Sequence, residues 1–547
     1  MIDQSLAPAS GVTLKYRLRL WAVPRLARVA KALGFRWETL GKYLGREVML
    51  AQTSEGFRRV HARADSPLDI VFLTMIGGHT HNASLDIVLG LALRARGHRV
   101  RFVVCDQTLA ACEVKKAGQE AAWPALCGKC WAFGERFFTS YGFEILPVSS
   151  FTSAGTNKTD QWSEFIEAAM LKHFGVGILH DTDETDRARE RLAYAADQSA
   201  TIARSLIPTK PDRVVMSHGI YCTWGPARTL LNEAGIPVLT YGKGKKRQTE
   251  KFNWTTGADW WDVSKEWERV RHTPLTPSQE RKLDDYLASR RSHGRDTLVY
   301  NFGAEETRDE TNRRLGLDPD RTTFTLFTNV LWDAASAHRE IVFNDPVEWV
   351  TETIDWFARN PDKQLVVKVH PAEVVIGTNQ PFASILAERT GELPKNVRLI
   401  EPHEPFNSWS IASITDLGLV HTSTVGMELP LEGIPCVTVS RTHFRDRGFT
   451  IDVEDRAAYF LTLARFTKGQ PVSVEGIALA RRYAYLLFER YQLPLTLFVE
   501  PSHTQVCAFA FDGLESLLSH PTIDLLSESI ESIDDFLMPE DPDLHWT

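Results

Sequence analysis

The sequence contains no long apolar run, few cysteines and no excess of positive charge. No stretch reaches the roughly 20 uncharged apolar residues that a membrane-spanning helix needs. Seven cysteines in 547 residues are too few for a disulfide framework. The formal net charge of −8 disfavours nucleic-acid binding, because phosphate neutralisation requires a surplus of Lys and Arg. The N-terminus also lacks the apolar core and cleavage site of a secretory signal. We therefore expect a cytoplasmic protein that binds no nucleic acid.

The charges that are present are distributed unevenly along the chain. Residues 1–63 hold 12 Lys and Arg against four acidic residues, whereas residues 512–547 hold ten acidic residues and no Lys or Arg. In the basic segment Trp21 and several leucines alternate with the cations, a pattern typical of segments that lie on an anionic membrane surface. The alternative is a helical extension, residues 1–64, that packs on the core and leaves a solvated basic edge.

Two successive series of apolar strands alternate with helical patterns. The first, in residues 65–263, has strands predicted at 68–74, 98–106, 142–147, 213–216 and 236–241. The second, in residues 322–472, has strands predicted at 323–329, 364–369, 397–400, 416–420 and 435–440. This alternation predicts an α/β protein with two doubly wound Rossmann-type domains that face each other across a cleft. Residues 264–321 are expected to link the domains, and residues 473–547 to form helices and an acidic tail.

Polar residues follow two strands of the second series. His370 and Pro371 end one strand, where an imidazole can hydrogen-bond a phosphate and stabilise negative charge. The turn from His421 to Gly426 follows another strand and offers the Ser423 and Thr424 hydroxyls and backbone N–H groups to an anion. Glu428 lies just beyond, where it could accept hydrogen bonds from ribose hydroxyls. The competing interpretations are a structural histidine and an ordinary helix N-cap.

These segments carry a family resemblance. TLFTNVLWDAA (325–335), VKVHPAE (367–373) and HTSTVGMELPLEGIPCVTVS (421–440) resemble the bacterial capsule polysaccharide synthesis proteins, which are related to Kdo and sialic acid transferases of the GT-B arrangement. The resemblance implies that His370, Ser423 and Thr424 hold the phosphate of a donor nucleotide and that Glu428 contacts the nucleotide. It also places Asn329 and Asp333 along the donor cleft, although turn capping explains these two residues equally well.

The function implied by the resemblance is a metal-independent glycosyltransferase. It would transfer a Kdo-like or other acidic sugar from a CMP donor to a glycan or glycolipid acceptor, without a catalytic cofactor, in the cytoplasm or at the inner face of the membrane. A CDP-glycerol-type polyol phosphotransferase is the nearest alternative. A non-catalytic, metal-stabilised scaffold of a polysaccharide assembly complex is an alternative of a different class.

The group that activates the acceptor should come from the first domain. His79 and His81, in the loop and helix start after the first strand, are the catalytic candidates beside His370, and each has an equally plausible structural role. Asp106 and His218 also lie at strand ends. Asp86 is better explained as part of the first helix.

Four of the seven cysteines lie within 26 residues. Cys105, Cys112, Cys127 and Cys130 offer four thiolates, as tetrahedral zinc or an iron–sulfur centre requires, but their spacing matches no established zinc module. A structural metal centre and ordinary thiols are both compatible with this pattern.

Overall fold

A computed structural model of the chain describes residues 12–53, 57, 66–151, 159–254, 256–291, 294–299, 303–333 and 338–539. The strands in these ranges are β1 (Asp69–Met75), β2 (Arg99–Val104), β3 (Glu144–Pro147), β4 (Arg213–Ser217), β5 (Val238–Lys243), β6 (Thr249–Trp254), β7 (Thr323–Phe327), β8 (Gln364–Lys368), β9 (Val397–Ile400), β10 (Leu417–Val420), β11 (Cys436–Thr438), β12 (Ile451–Asp452), β13 (Leu493–Pro494), β14 (Phe498–Val499) and β15 (Ala508–Phe509). The strand positions predicted from the sequence are confirmed, with shifts of up to two residues at their ends.

Helices connect these strands. They are α1 (Leu14–Ala32), α2 (Trp37–Leu44), α3 (Thr80–Ala95), α4 (Trp123–Ser140), α5 (Ser163–Phe174), α6 (Asp183–Leu206), α7 (Tyr221–Glu233), α8 (Ser264–Val270), α9 (Pro277–Arg291), α10 (Arg308–Leu315), α11 (Pro346–Arg359), α12 (Ala372–Val375), α13 (Phe382–Thr390), α14 (Ser408–Ile414), α15 (Val425–Leu431), α16 (Arg456–Arg465), α17 (Val474–Tyr485), α18 (Leu514–Leu518) and α19 (Pro521–Ser532). Within the described residues, no helix combines the length and apolar character needed to cross a bilayer.

The two sheets have the same central arrangement. The first has the order β3-β2-β1-β4-β5-β6-β13, with β1 to β5 parallel and the last two strands antiparallel. The second has the order β9-β8-β7-β10-β11-β12 and is parallel throughout. Both are doubly wound sheets whose strand order reverses beside the first strand, and ligands bind such sheets at the carboxyl ends of the strands. The predicted fold class, with two facing Rossmann-type domains, is confirmed.

The segment expected to link the domains contributes to the second one. Trp267 of α8, and Leu283 and Tyr286 of α9, are fully buried in the apolar core that also contains Phe327 and Val366. Residues 264–321 are therefore more than a connection, since they complete one side of the second domain.

The C-terminal segment returns to the first domain. After α17 packs against the second domain, β13 joins the first sheet antiparallel to β6, and α19 packs on α3. Ion pairs fix this return, among them Arg96 to Glu531 at 2.8 Å and Lys265 to Asp535 at 2.8 Å. The acidic end of the chain is thus partly neutralised by cations of the folded protein.

Two glycines allow the loop after β1 to approach α4 closely. A Cβ placed on Gly134 would lie 2.8 Å from the Cα of Gly77, and one on Gly78 would lie 2.9 Å from the Cα of Cys130. Both distances are shorter than backbone atoms tolerate. The Gly77-Gly78 pair therefore serves helix packing, not the approach of a substrate to the backbone.

We predict that Gly134→Ala destabilises the protein although Gly134 lies inside a helix. Alanine improves helix propensity by up to about 1 kcal/mol, but the clash with Gly77 should outweigh this gain and cost about 1 to 3 kcal/mol overall. Gly513→Ala is the control, because a Cβ there meets no atom within 4 Å and the backbone is extended at φ −170°. Denaturant unfolding measures both variants. A Gly134→Ala protein as stable as the wild type would contradict the proposed contact.

Candidate functional site

His370 follows β8 directly and occupies a fixed orientation. Its backbone N–H donates to Thr328 Oγ1 at 3.0 Å, and its Nδ1 accepts from the backbone N–H of Ala372 at 3.1 Å. An accepting Nδ1 places the proton of the neutral ring on Nε2. Burial, together with the charges of Lys245 and Lys368, lowers the pKa of His370 to about 4. The ring is therefore a neutral hydrogen-bond donor at physiological pH.

The loop after β10 places the predicted hydroxyl groups beside His370. Asn329, at the end of β7, accepts the backbone N–H of Thr422 through its Oδ1 at 3.2 Å and so fixes the loop. Ser423 Oγ accepts weakly from the backbone N–H of Val425 at 3.4 Å. Ser423 and Thr424 then line the same cavity as His370. Asn329 is placed to position this loop, whereas the resemblance implied a donor contact.

Two lysines bring positive charge to this cavity. Lys368 ends β8, is buried and donates to the carbonyl of Phe406 at 3.3 Å. Lys245 comes from the first domain, in the loop between β5 and β6, and its Nζ lies 3.5 Å from Thr424 Oγ1. Burial lowers the pKa of each lysine to about 8, and Arg290 contributes to the shift of Lys245. Lys368 therefore lines the cavity from the second domain, and Lys245 borders it from the first.

The loop that carries Lys245 is fixed from two sides. Gln492 Oε1 accepts the backbone N–H groups of Lys245 at 2.5 Å and Lys246 at 2.9 Å. On the other side, Thr297 Oγ1 donates to the carbonyls of Gly244 and Lys246 at 3.0 and 2.8 Å. The returning C-terminal segment and the segment between the domains thus both position this lysine.

Glu428 is oriented by an arginine that the sequence did not point to. Arg290, on α9, donates to Glu428 Oε1 at 2.7 Å and to Asp296 Oδ2 at 3.1 Å. Arg290, Asp296 and Glu428 all line the cavity with His370 and Ser423. The expected ribose contact of Glu428 would therefore share the carboxylate with this ion pair.

Asp333, in the loop after β7, acts on residues of the first domain. It is not among the residues that line the cavity, and its charge acts on Lys172 and Tyr221 of the first domain. Of the six predicted donor residues, four therefore line one cavity, Asn329 supports its loop, and Asp333 faces the first domain.

His79 and His81 have different surroundings. His79 caps α3 and its Nδ1 accepts from the backbone N–H of Asn82 at 3.4 Å; burial, with the charges of His81 and His218, lowers its pKa to about 3. His81 Nε2 lies 3.0 Å from Glu250 Oε1, and its Nδ1 lies 3.1 Å from Glu500 Oε1. Burial opposes a charge on His81, but these carboxylates outweigh it and raise its pKa.

His81 therefore belongs to a buried ion cluster. Lys243 completes it with contacts to Glu250 at 3.1 Å and Glu500 at 2.5 Å. Both ring nitrogens of His81 lie against carboxylates, which favours the structural role of His81 over the catalytic one. The local sequence around His81 gave no sign of this ion cluster, because Glu250 and Glu500 are distant in the chain.

Other polar residues of the first domain surround His79 at the carboxyl ends of β1 and β4. Lys172 donates to the Tyr221 hydroxyl at 3.0 Å, and Glu113 accepts from Thr223 Oγ1 at 3.0 Å. Met75, His218 and Tyr221 have positive φ angles of 56°, 52° and 60°. Such strained backbone in residues other than glycine is concentrated at functional sites. This edge of the first sheet is therefore the candidate acceptor side.

The two aspartates considered for this side are occupied elsewhere. Asp86 is fully buried and accepts from Thr74 at 2.5 Å and Tyr241 at 2.7 Å, which makes it part of the core as expected; burial raises its pKa to about 7. Asp106 accepts from Thr108 Oγ1 and from the backbone N–H of Ser149.

The four clustered cysteines line a single small apolar cavity with Ile76, Leu109 and Val114. All seven cysteines of the chain are free thiols. Burial raises the pKa of Cys105 and raises that of Cys130 to about 12, so these thiols resist the deprotonation that metal binding requires. Across the described ranges, no group of three or more His, Cys, Asp or Glu side chains is arranged to hold a metal ion. Of the two interpretations that the cysteine pattern left open, the zinc or iron–sulfur centre is not supported.

The fold and site together define a two-domain α/β protein with a cavity at the carboxyl ends of the second sheet, lined by Lys368 and His370 and bordered by Lys245. No protein-family model matches the chain, and no curated protein matches it. Similar solved structures include the β-Kdo 2,4 transferase KpsC of Thermosulfurimonas dismutans, which is 18% identical over 57% of this chain and 88% of that chain, with a TM-score of 0.35. The glycosyltransferase SnogD from Streptomyces nogalater is 15% identical over 77% of this chain and 94% of that chain, with a TM-score of 0.21. A third is the UDP-GlcNAc 2-epimerase from Neisseria meningitidis, which is 10% identical over 76% of this chain and 97% of that chain, with a TM-score of 0.24. With TM-scores this low, the fold assignment rests on the sheet topology.

We predict that His81→Gln lowers the free energy of unfolding by about 3 to 5 kcal/mol, because it leaves two buried carboxylates with Lys243 as their single cation. His79→Gln, which removes only a long capping contact, should cost about 1 kcal/mol or less. Because the folded state raises the pKa of His81, its stabilisation is present at low pH and is lost as the pH rises through that pKa. Urea unfolding at several pH values should show this decline in the wild type and not in His81→Gln. Equal effects of the two variants would refute the ion-cluster assignment.

We also predict that the cavity binds anions less tightly above neutral pH. Lys245 and Lys368, with pKa values of about 8, lose their charge as the pH rises. Affinity for cytidine monophosphate, whose phosphate is fully ionised above its second pKa of about 6, should fall about tenfold or more between roughly pH 7 and pH 9. Lys245→Arg should keep the affinity and weaken the pH dependence, whereas Lys245→Met should lower the affinity and weaken the pH dependence. Calorimetric titration measures the affinity and its pH dependence for the wild type and both variants. A wild-type affinity that does not vary with pH would contradict the prediction.

Proposed function

We propose that this chain is a metal-independent glycosyltransferase of capsule or surface polysaccharide synthesis that works in the cytoplasm. The donor is a nucleotide sugar, a Kdo-like or other acidic sugar activated with CMP, and the acceptor is a glycan or glycolipid. One observation carries the proposal. Groups suited to a phosphate, from both domains, line or border one cavity at the carboxyl ends of the strands: Lys245, Lys368, His370, Ser423 and Thr424.

The cavity supports stabilisation of the leaving nucleotide. When the bond between the sugar's anomeric carbon and the phosphate oxygen breaks, negative charge develops on the phosphate. Two ammonium groups and the Nε2–H of His370, held in a half-buried site, stabilise that charge strongly because little water screens them. These cations supply the charge neutralisation that a metal ion provides in other transferases. His370 therefore acts as a hydrogen-bond donor to the leaving group.

Glu428 and Asn329 complete the donor side. Arg290 holds the Glu428 carboxylate toward the cavity, where we propose that it accepts hydrogen bonds from the ribose hydroxyls. Asn329 keeps the Ser423–Thr424 turn in position through Thr422. Asp333, which faces Lys172 and Tyr221, is proposed to contact the transferred sugar or the acceptor instead of the nucleotide.

The first domain is proposed to bind the acceptor. His79 lies at the carboxyl end of β1, near the strained residues His218 and Tyr221, and is proposed to hydrogen-bond the attacking hydroxyl. Its low pKa keeps the ring neutral. Lys172, paired with the Tyr221 hydroxyl, adds positive charge that suits an acidic sugar.

We predict that a His370→Ala, Ser423→Ala double variant binds CMP about 10- to 100-fold more weakly than the wild type, because it loses charge-assisted hydrogen bonds to the phosphate. His403→Ala is the matched control, since this exposed histidine of the same domain is paired only with Glu401 at 3.4 Å in the described structure. Calorimetric titration with CMP, UDP and CDP measures the affinities. Wild-type affinity in the double variant would refute the donor-site assignment.

A transfer assay distinguishes the functions that share this cavity. Wild-type protein incubated with CMP-Kdo and a glycan or lipid acceptor should release CMP and form a product without donor phosphorus. A product that retains phosphorus from CDP-glycerol would indicate a polyol phosphotransferase. A protein with no measurable nucleotide affinity would indicate a scaffold, and either result would overturn the proposal.

A further inference from the structure

Helix α1 has two apolar faces, and only one of them is covered. Leu20, Val23 and Ala27 are buried against α2 and the turn that follows it. On the opposite side the exposed apolar residues are Leu14, Leu18, Trp21, Val29 and Leu33, of which Leu14 is 73%, Trp21 54% and Leu33 74% exposed. Their separations of four, three, eight and four residues place them on one stripe along the helix. The stripe extends about 28 Å.

Such a stripe is unusual on a protein surface. Single exposed leucines are common, but a contiguous row of large apolar side chains marks a surface that meets another apolar phase. Trp21 adds a residue that prefers the boundary between lipid and water. Arg25 lies on the same stripe, with its guanidinium 4.2 Å above the Trp21 ring.

Cations flank the stripe. In the described part of the extension, residues 12–53, nine Lys and Arg accompany two acidic residues, Glu38 and Glu47, and both of these already pair with Lys42 and Arg19. With the described residues, Lys15, Arg17, Arg25 and Arg28 form no ion pair. Arg25, Arg28 and Arg136 also line one open cavity with Thr139 and Ser140. The Thr139 and Ser140 hydroxyls donate to the carbonyls of Glu135 and Phe137, so the guanidinium groups are the donors that this cavity offers to a lipid phosphate.

We propose that α1 docks this protein on an anionic phospholipid surface. The stripe enters the boundary between headgroups and acyl chains, and Arg25, Arg28 and Arg136 bind headgroup phosphates. An apolar stripe flanked by cations is complementary to a bilayer surface, where apolar acyl chains lie directly beneath anionic headgroups. The inference stands independently of the proposed nucleotide site, since none of these residues lines that cavity.

The test is co-sedimentation of the full chain with vesicles in the absence of nucleotide. Vesicles of phosphatidylcholine with about one third phosphatidylglycerol should bind the protein at least about tenfold more tightly than pure phosphatidylcholine. Salt at about 1 M, where the Debye length is about 3 Å, should release most of it. Equal binding to both kinds of vesicle, or no binding, would overturn the proposal.

Two variants separate the apolar and charged contributions. Leu18→Ser, Trp21→Ser should weaken binding about tenfold or more, because exposed side chains are lost from the lipid contact. Arg17→Gln, Arg25→Gln should weaken it about 25-fold, at roughly fivefold for each charge near the surface. The matched control is Leu461→Ser, Val474→Ser, which removes two exposed apolar residues of the second domain and should bind like the wild type.

Two further measurements make the result specific. All three variants should keep wild-type circular dichroism and CMP affinity, so a loss of vesicle binding cannot reflect unfolding or a damaged nucleotide site. Analytical ultracentrifugation should find a monomer in the wild type. A dimer that the Leu18→Ser, Trp21→Ser variant dissociates would show that the stripe binds a second copy of the chain, and would overturn the membrane assignment.

Discussion

Positive charge held in a half-buried cleft is the constraint on which the rest of this structure depends. Lys245 and Lys368 are partly desolvated, and their lowered pKa values measure the cost of keeping them charged there. Glu428 and Asp296 act on Lys245 but are both engaged by Arg290, and Glu404 acts on Lys368. In the proposed function, the phosphate of the donor adds negative charge beside these lysines. A neutral His370 suits this environment, because a third full charge would add to the repulsion.

The chain positions these charges through contacts between distant segments. Lys245 belongs to the first domain, yet it reaches Thr424 of the second because Gln492 and Thr297 fix its loop from both sides. Gln492 immediately precedes β13, the strand that returns the C-terminal segment to the first sheet. Sheet topology, domain closure and the charge of the cavity are thus consequences of one crossing segment. Loosening this crossing segment would move Lys245 away from the proposed phosphate site without altering any residue that lines the cavity.

The sequence was sufficient for the parts of the fold that local patterns specify. Short runs rich in β-branched residues, such as residues 364–369, indicate buried strands, and parallel strands bring His370 and Ser423 to one edge. To that extent, the sequence predicted that His370 and Ser423 lie close together, and both line the same cavity. Lys245 had a usable signal, since the basic run 242–247 follows a predicted strand. Arg290 and Gln492 had none, because they meet the site across more than a hundred residues of chain. The ion cluster of His81 had no signal for the same reason, since its carboxylate partners arrive from residues 250 and 500.

The charges at the two ends of the chain have different fates in the folded protein. Acidic residues of the C-terminal segment fold against cations, as Glu531 does with Arg96 and His98. The basic helix α1 is paired only in part. Lys31 contacts Asp512 of the C-terminal segment at 3.0 Å and Arg19 contacts Glu47 at 3.0 Å, whereas Lys15, Arg17, Arg25 and Arg28 form no ion pair with the described residues. These remaining cations of α1 are therefore available to an anion outside the chain.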